Sequence, residues 1–181
     1  MSGGAPAARA FVFLRLLLPA SLGLLAACAT TPRPAADLSG RLAVRVEAHQ
    51  GAPVRSLNTQ FELRGDASAG VLQLTTPIGI TAAEARWSPA GAELITPEGN
   101  RRFADLDAMS AQMLGEPLPL AALIDWLRGR PWPGAPSRVD AGGFEQLGWR
   151  IDLSRLAEGW VLAGRDRTPA VSVRARLELP Q

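Results

Sequence analysis

Val171-Ser172-Val173-Arg174-Ala175-Arg176-Leu177-Glu178-Leu179 changes between apolar and polar at every step. Successive side chains of an extended chain leave opposite faces, so this period of two puts the aliphatics on one face and the charged residues on the other. An antiparallel strand with one face in a core and one in water reads this way. The same alternation recurs early in the chain. Leu42, Val44 and Val46 alternate with Arg41, Arg45 and Glu47, and Leu57, Thr59, Phe61 and Leu63 with Asn58, Gln60, Glu62 and Arg64. Residues 71–76 and 80–87 predict a further pair joined across Pro77-Ile78-Gly79. Turn residues at 88–91 and 97–100 then set off strands over 92–96 and 101–104. Later, Trp149, Ile151 and Leu153 alternate with Arg150 and Asp152, and residues 160–165 follow a turn at Gly159.

Between these two sets of strands the period changes. Leu106, Met109 and Met113 share a helical face, with Asp105 placed as N-cap and Gly115 as the stop. Leu120, Leu123, Ile124 and Leu127 fall at i, i+3, i+4 and i+7 after Pro119, and Gly129 with Pro131 ends that helix. Strands on both sides of a helical insertion predict a mainly β (α+β) fold. The expected form is a single curved antiparallel sheet, an open half-barrel whose apolar face the helices cover. Gly40 and Gly142-Gly143 are read as turns or strand starts.

Upstream, Leu25-Ala26-Ala27-Cys28 closes the apolar run Leu16 to Leu25, which Arg9 and Arg15 flank with positive charge. This is the anatomy of a bacterial lipoprotein signal peptide, with an apolar core shorter than the roughly 20 residues of a membrane span. Residues 1–27 are therefore expected to be removed, Cys28 to carry the lipid, residues 28–39 to form a proline-bearing lipidated tether, and 40–181 to form the folded domain. Ala29, rather than Asp, follows the cysteine. In many Gram-negative lipoproteins that choice implies the outer membrane, here with the domain on the periplasmic face.

Composition excludes several functions. All 19 basic residues are arginines; Arg9 and Arg15 leave with the signal peptide, and the rest balance the 17 acidic residues. They are scattered, without the stripe of a nucleic-acid binder. One cysteine precludes an internal disulfide, and one histidine, His49, precludes a histidine-based metal cluster or an ordinary Ser-His-Asp arrangement. Asp105 with Asp107, and Glu116 with Asp125, are carboxylate pairs in sequence, but their places beside helices suit caps and solvated charges. No phosphate loop or nucleophile elbow is present in the sequence. No enzyme activity, metal or cofactor is expected.

The large apolar residues leave two readings open. Trp87, Trp126, Trp149 and Trp160, with Phe61, Met109 and Met113, suit a solidly filled core, which their spacing alone favours. A sheet covered by helices also suits a cavity for a hydrophobic ligand.

Three blocks carry a resemblance: Leu72-Gln73-Leu74-Thr75-Thr76-Pro77-Ile78-Gly79, Leu114-Gly115-Glu116-Pro117-Leu118-Pro119 and Trp126-Leu127-Arg128-Gly129-Arg130-Pro131. In order and spacing, and with the lipobox before them, they resemble the LolB family of outer-membrane lipoprotein receptors over roughly residues 40–179. The resemblance implies an incomplete barrel lidded by helices, with residues 40–181 as a lipid-binding half-barrel enclosing an apolar cavity for acyl chains. It implies a monomer that accepts lipoproteins from the periplasmic carrier LolA and inserts them into outer-membrane lipid. Candidate cavity residues are Phe61, Leu72, Leu74, Trp87, Met109, Leu123, Trp126 and Trp149. Turn chemistry independently puts Ile78 on the tip of Thr76-Pro77-Ile78-Gly79, since Pro suits the second and Gly the fourth position of a type I turn. The family's matching position is an exposed aliphatic used for membrane insertion, which makes Pro77, Ile78 and Gly79 the expected insertion loop. The alternative is an anchored structural or assembly lipoprotein of the outer membrane without a lipid cavity.

Overall fold

The structure, a computed structural model, describes residues 37–179. Six strands come first: β1 (Leu38–Val46), β2 (Arg55–Gly65), β3 (Gly70–Thr75), β4 (Thr81–Ser88), β5 (Gly91–Thr96) and β6 (Gly99–Phe103). Helices α1 (Leu106–Leu114) and α2 (Leu120–Leu127) follow. The chain then returns to strands: β7 (Ser137–Asp140), β8 (Gly143–Gln146), β9 (Trp149–Asp152), β10 (Trp160–Arg165) and β11 (Val171–Leu177), with a 3-10 turn over Leu156–Glu158. The eleven strands form one sheet in the order β6-β5-β4-β3-β2-β1-β11-β10-β9-β8-β7. Every pairing is antiparallel, and the seam between β1 and β11 runs in register from Gly40↔Leu177 to Val46↔Val171.

The alternation read in the sequence sets the faces. Leu42, Val44, Phe61, Leu63, Val173 and Ala175 are buried, while Arg41, Arg45, Arg174 and Arg176 are exposed. The core lies between the inner face of the sheet and the two helices.

The expected incomplete barrel is corrected. The sheet is neither closed nor strongly curled: its hydrogen bonding runs in a single line, and the edge strands β6 and β7 do not pair with each other. A barrel arises when the outer strands of a tilted, staggered sheet meet. Here α1 and α2 lie between β6 and β7 in the chain and cover the apolar face, so the sheet need not curl onto itself.

Both helices follow from local chemistry. Asp105 sits in an extended conformation and its carboxylate accepts the Ala108 N–H at 2.7 Å, capping α1. Gly115, at φ 73°, takes up the left-handed conformation at the other end and its N–H donates to the Ala111 carbonyl at 2.8 Å. In α2, Ala122 to Leu127 are all buried. Strands β7 and β8 carry no alternation that the sequence could reveal. All four residues of β7 are exposed, and β8 contributes only Phe144 and Gln146 to the interior. Gly143 opens β8 where a Cβ would lie 1.9 Å from the Ile151 carbonyl oxygen, so the strand start requires glycine through close approach. The last strand is shorter than its pattern, ending at Leu177 and leaving Leu179 exposed.

Candidate functional site: an apolar pocket and an exposed turn

Under α1 and α2 lies an apolar pocket of about 80 Å³. Its floor is the inner face of β1 to β5, including Phe61, Leu72, Leu74, Trp87 and Leu94. Its roof is Leu106, Met109 and Met113 from α1 with Leu120, Leu123 and Ile124 from α2. Ser110 is the one polar side chain on the wall. Its hydroxyl is already engaged, accepting the Leu118 N–H at 2.7 Å and donating to the Asp107 carbonyl at 2.8 Å. The wall therefore offers a ligand almost nothing but carbon and sulfur. Met109 and Met113 add conformational tolerance, since an unbranched thioether side chain fills irregular gaps.

Six of the eight candidate cavity residues, Phe61, Leu72, Leu74, Trp87, Met109 and Leu123, meet at this pocket. Trp126 and Trp149 are not on its wall. They pack on each other beside it, ring centroids 5.7 Å apart, and Trp126 is 0% exposed. The Trp126 indole N–H donates to Gln146 Oε1 at 2.8 Å. The guanidinium of Arg165 also stands 5.4 Å from the Trp149 ring centroid and pairs with Glu116 in the α1–α2 connection. This buried polar cluster clamps the helices to β8, β9 and β10. Met113 and Leu106 were legible as a helical face but not as pocket residues, because periodicity gives a face and not a void.

The carboxylate pairs dissolve into separate structural tasks. Asp105 caps α1. Glu116 holds Arg165, and Asp125, buried, accepts from Arg130 at 2.6 Å. Burial, then the neighbouring Asp105, pushes the Asp107 carboxyl above its ordinary range. Among the described residues there is no cluster of His, Cys, Asp and Glu able to hold a metal ion, and no helix long and apolar enough to cross a membrane.

The turn between β3 and β4 presents a different kind of surface. The Gly79 N–H donates to the Thr76 carbonyl at 2.9 Å, closing the turn, and the Thr76 N–H donates to the Ile80 carbonyl at 2.8 Å. Thr76 Oγ1 accepts the Ile80 N–H at 3.1 Å. Within this hydrogen-bonded loop Ile78 is 82% exposed and Ile80 58%. Two large aliphatics thus stand out from one tight turn, of which the sequence singled out only Ile78. Cys28, expected to bear the lipid, lies outside the described residues.

Fold and site together define a class: a β-rich protein whose apolar interior lies under a two-helix cover. Residues 35–165 match the family described as Outer membrane lipoprotein LolB, and the chain belongs to that family. Similar proteins carrying the name Outer-membrane lipoprotein LolB include those of the following three bacteria. That of Chromobacterium violaceum is 32% identical over 157 residues, covering 80% of this chain and 84% of the relative. That of Bordetella pertussis is 35% identical over 177 residues, covering 88% of each. That of Ralstonia nicotianae is 34% identical over 185 residues, covering 91% and 85%. Membership makes this chain a lipid-anchored protein of the outer membrane facing the periplasm. Its general role is that of a receptor in lipoprotein localisation and transport, and it is not an enzyme.

Proposed function

We propose that this chain accepts lipoproteins from the periplasmic carrier LolA, shelters their acyl chains in the apolar pocket beneath α1 and α2, and inserts them into the outer membrane. In this reading residues 1–27 are the signal peptide, Cys28 in the tether 28–39 carries the anchor, and residues 40–181 bind lipid as a monomer. The turn Pro77-Ile78-Gly79 enters the bilayer. The observation that carries the reading is the pocket wall, which is apolar on every side apart from one internally bonded hydroxyl.

The energetics require such a wall. At about 0.8 kcal/mol per methylene, exposing one sixteen-carbon chain to water costs on the order of 10 kcal/mol. With no ATP-binding motif in the sequence, direction comes from affinity, and each tenfold preference needs about 1.4 kcal/mol. Release into the membrane is favourable because a bilayer buries the chains more completely. The pocket is small as it stands: about 80 Å³ is less than the roughly 150 Å³ of a cavity that takes up benzene. An acyl chain therefore enters as α1 and α2 move outward from the sheet, with Met109 and Met113 reshaping the roof.

The test uses a Cys28→Ala chain exported through an ordinary cleavable signal peptide, mixed first with cargo-loaded carrier and then with liposomes. Met113→Trp, which fills the roof from a half-buried site, should lower cargo acceptance several-fold with the melting temperature retained. Ile78→Glu should accept cargo but fail to deliver it, because a carboxylate resists entry into lipid. Undiminished acceptance by the tryptophan variant would refute the pocket as the acyl site. Normal delivery by the glutamate variant would refute insertion of the turn.

A further inference from the structure

The outer face of the sheet, opposite the pocket, carries a groove of about 630 Å³ beside the same turn. Pro77 lines it together with Arg41, Arg174, Arg176 and Trp160, and no carboxylate does. Strand register explains this convergence. Thr75 faces Gln60, Gln60 faces Arg41, Arg41 faces Arg176 and Arg176 faces Trp160, a single row across five strands that starts at the root of the turn. Arg174 belongs to the next row, opposite Ala43. Since neighbouring strands are about 4.8 Å apart, Arg41 lies on the order of 10 Å from Thr75.

Charge is segregated along the strands. Glu62 faces Ser39 in an outer row farther from the turn, and Ser39 also donates to Glu178 at 2.6 Å. Arg176 is held over the Trp160 ring at 5.1 Å, and its charge adds to the hydrogen bond and charge of Arg155, which chiefly keep the Glu158 carboxyl below its ordinary range. Arg41 and Arg174 are exposed and enter no ion pair among the described residues. Two unpaired guanidiniums, a third stacked on an indole and an exposed aliphatic tip thus meet on one side of the molecule. Guanidinium forks suit phosphate oxygens, and tryptophan favours the level of lipid headgroups.

We propose that this outer face is a headgroup-docking surface, on which Arg41 and Arg174 bind the phosphates of anionic phospholipids in the membrane that the Ile78 turn enters. The inference rests on that reading of the turn for its orientation and adds a second, electrostatic contact with its own specificity. A basic residue at an anionic surface strengthens binding by about fivefold, so the two together supply up to about 30-fold.

The test is co-sedimentation of the soluble Cys28→Ala chain with vesicles of phosphatidylcholine alone, and with one third of it replaced by phosphatidylglycerol. The parent chain should prefer the anionic vesicles, and the preference should fall as salt is raised. Arg41→Gln with Arg174→Gln should remove the preference, leave binding to neutral vesicles intact and keep the melting temperature. The corresponding lysine pair should restore it. Ile78→Ser, which removes the apolar contact without adding charge, should instead weaken binding to both vesicle types equally, so failure of the turn reading appears in the neutral vesicles and failure of the docking surface in the anionic preference. The proposal is overturned if the glutamine pair retains the preference, or if the lysine pair loses it. It is equally overturned if Arg101→Gln with Arg138→Gln, on the two edge strands, removes as much. Loss of cargo acceptance in vesicle-free solution with the lipid preference unchanged would assign the face to the carrier and also overturn it.

Discussion

The side chain of Gln146 uses its whole hydrogen-bonding capacity inside the protein. Its Oε1 accepts from the Trp126 indole and the Trp132 N–H at 2.8 and 2.9 Å, and its Nε2 donates to the carbonyls of Trp132 and Ala135, both at 2.7 Å. It thereby ties α2 and the connection after it to β8. Gln146→Leu should cost about 2–3 kcal/mol in urea unfolding, chiefly through the buried Trp126 N–H, while the partly exposed backbone partners turn to water. A loss below about 0.5 kcal/mol would show that the cluster is not a support. Nothing in the sequence marked this residue, because a lone Gln in a short segment looks like surface. Asp105 was legible, since an N-cap depends on neighbours two or three positions away. Ile78 was legible on the same local grounds, whereas the exposure of Ile80 depends on how the turn stands from the sheet.

Elements were readable in proportion to how evenly their two faces differ. β1, β2, β4 and β11 alternate in burial and in sequence alike. β7 could not be read because it is an edge with neither face in the core; Val139 on it is 75% exposed. An aliphatic on an open edge invites pairing with another chain. Val139→Lys should therefore leave stability within about 0.5 kcal/mol of the parent while reducing concentration-dependent light scattering at high protein concentration. Increased scattering would indicate that Val139 has a covering partner within the chain. The helices were legible as faces that cover the sheet, yet the curvature expected of an open half-barrel is not found, because α1 and α2 bury the apolar face without it.

At the scale of the whole molecule, the exposed carboxylates set the response to acid. Asp66 is held below its ordinary range chiefly by the Ser68 hydroxyl and then by backbone N–H groups, Asp152 by the same arrangement at Ser154, and Glu47 by Arg45. A carboxyl whose folded value is depressed contributes stability above its unfolded value and loses it as pH falls through the folded one. Asp107, raised by burial, acts in the opposite sense and gains on protonation. The depressed groups outnumber it, so the melting temperature should hold near neutrality and fall on acidification below about pH 4, where unfolded carboxylates begin to bind protons. A melting temperature that rises on entering that range would show the raised group to dominate.

The seam between β1 and β11 also governs how the molecule can be made. Residues 38–127 supply one meander and its helices, and residues 137–177 supply the other; each can begin to form from neighbours in sequence. The two halves become one sheet only when Gly40 meets Leu177 and Val46 meets Val171. Those are contacts of very high sequence separation, and loop-closure entropy delays them relative to hairpins. During export the amino-terminal half, with its apolar interior, therefore waits with β1 unpaired along one side until the last strand arrives. The final strand that announces the fold most clearly in the sequence is also the one whose arrival completes it.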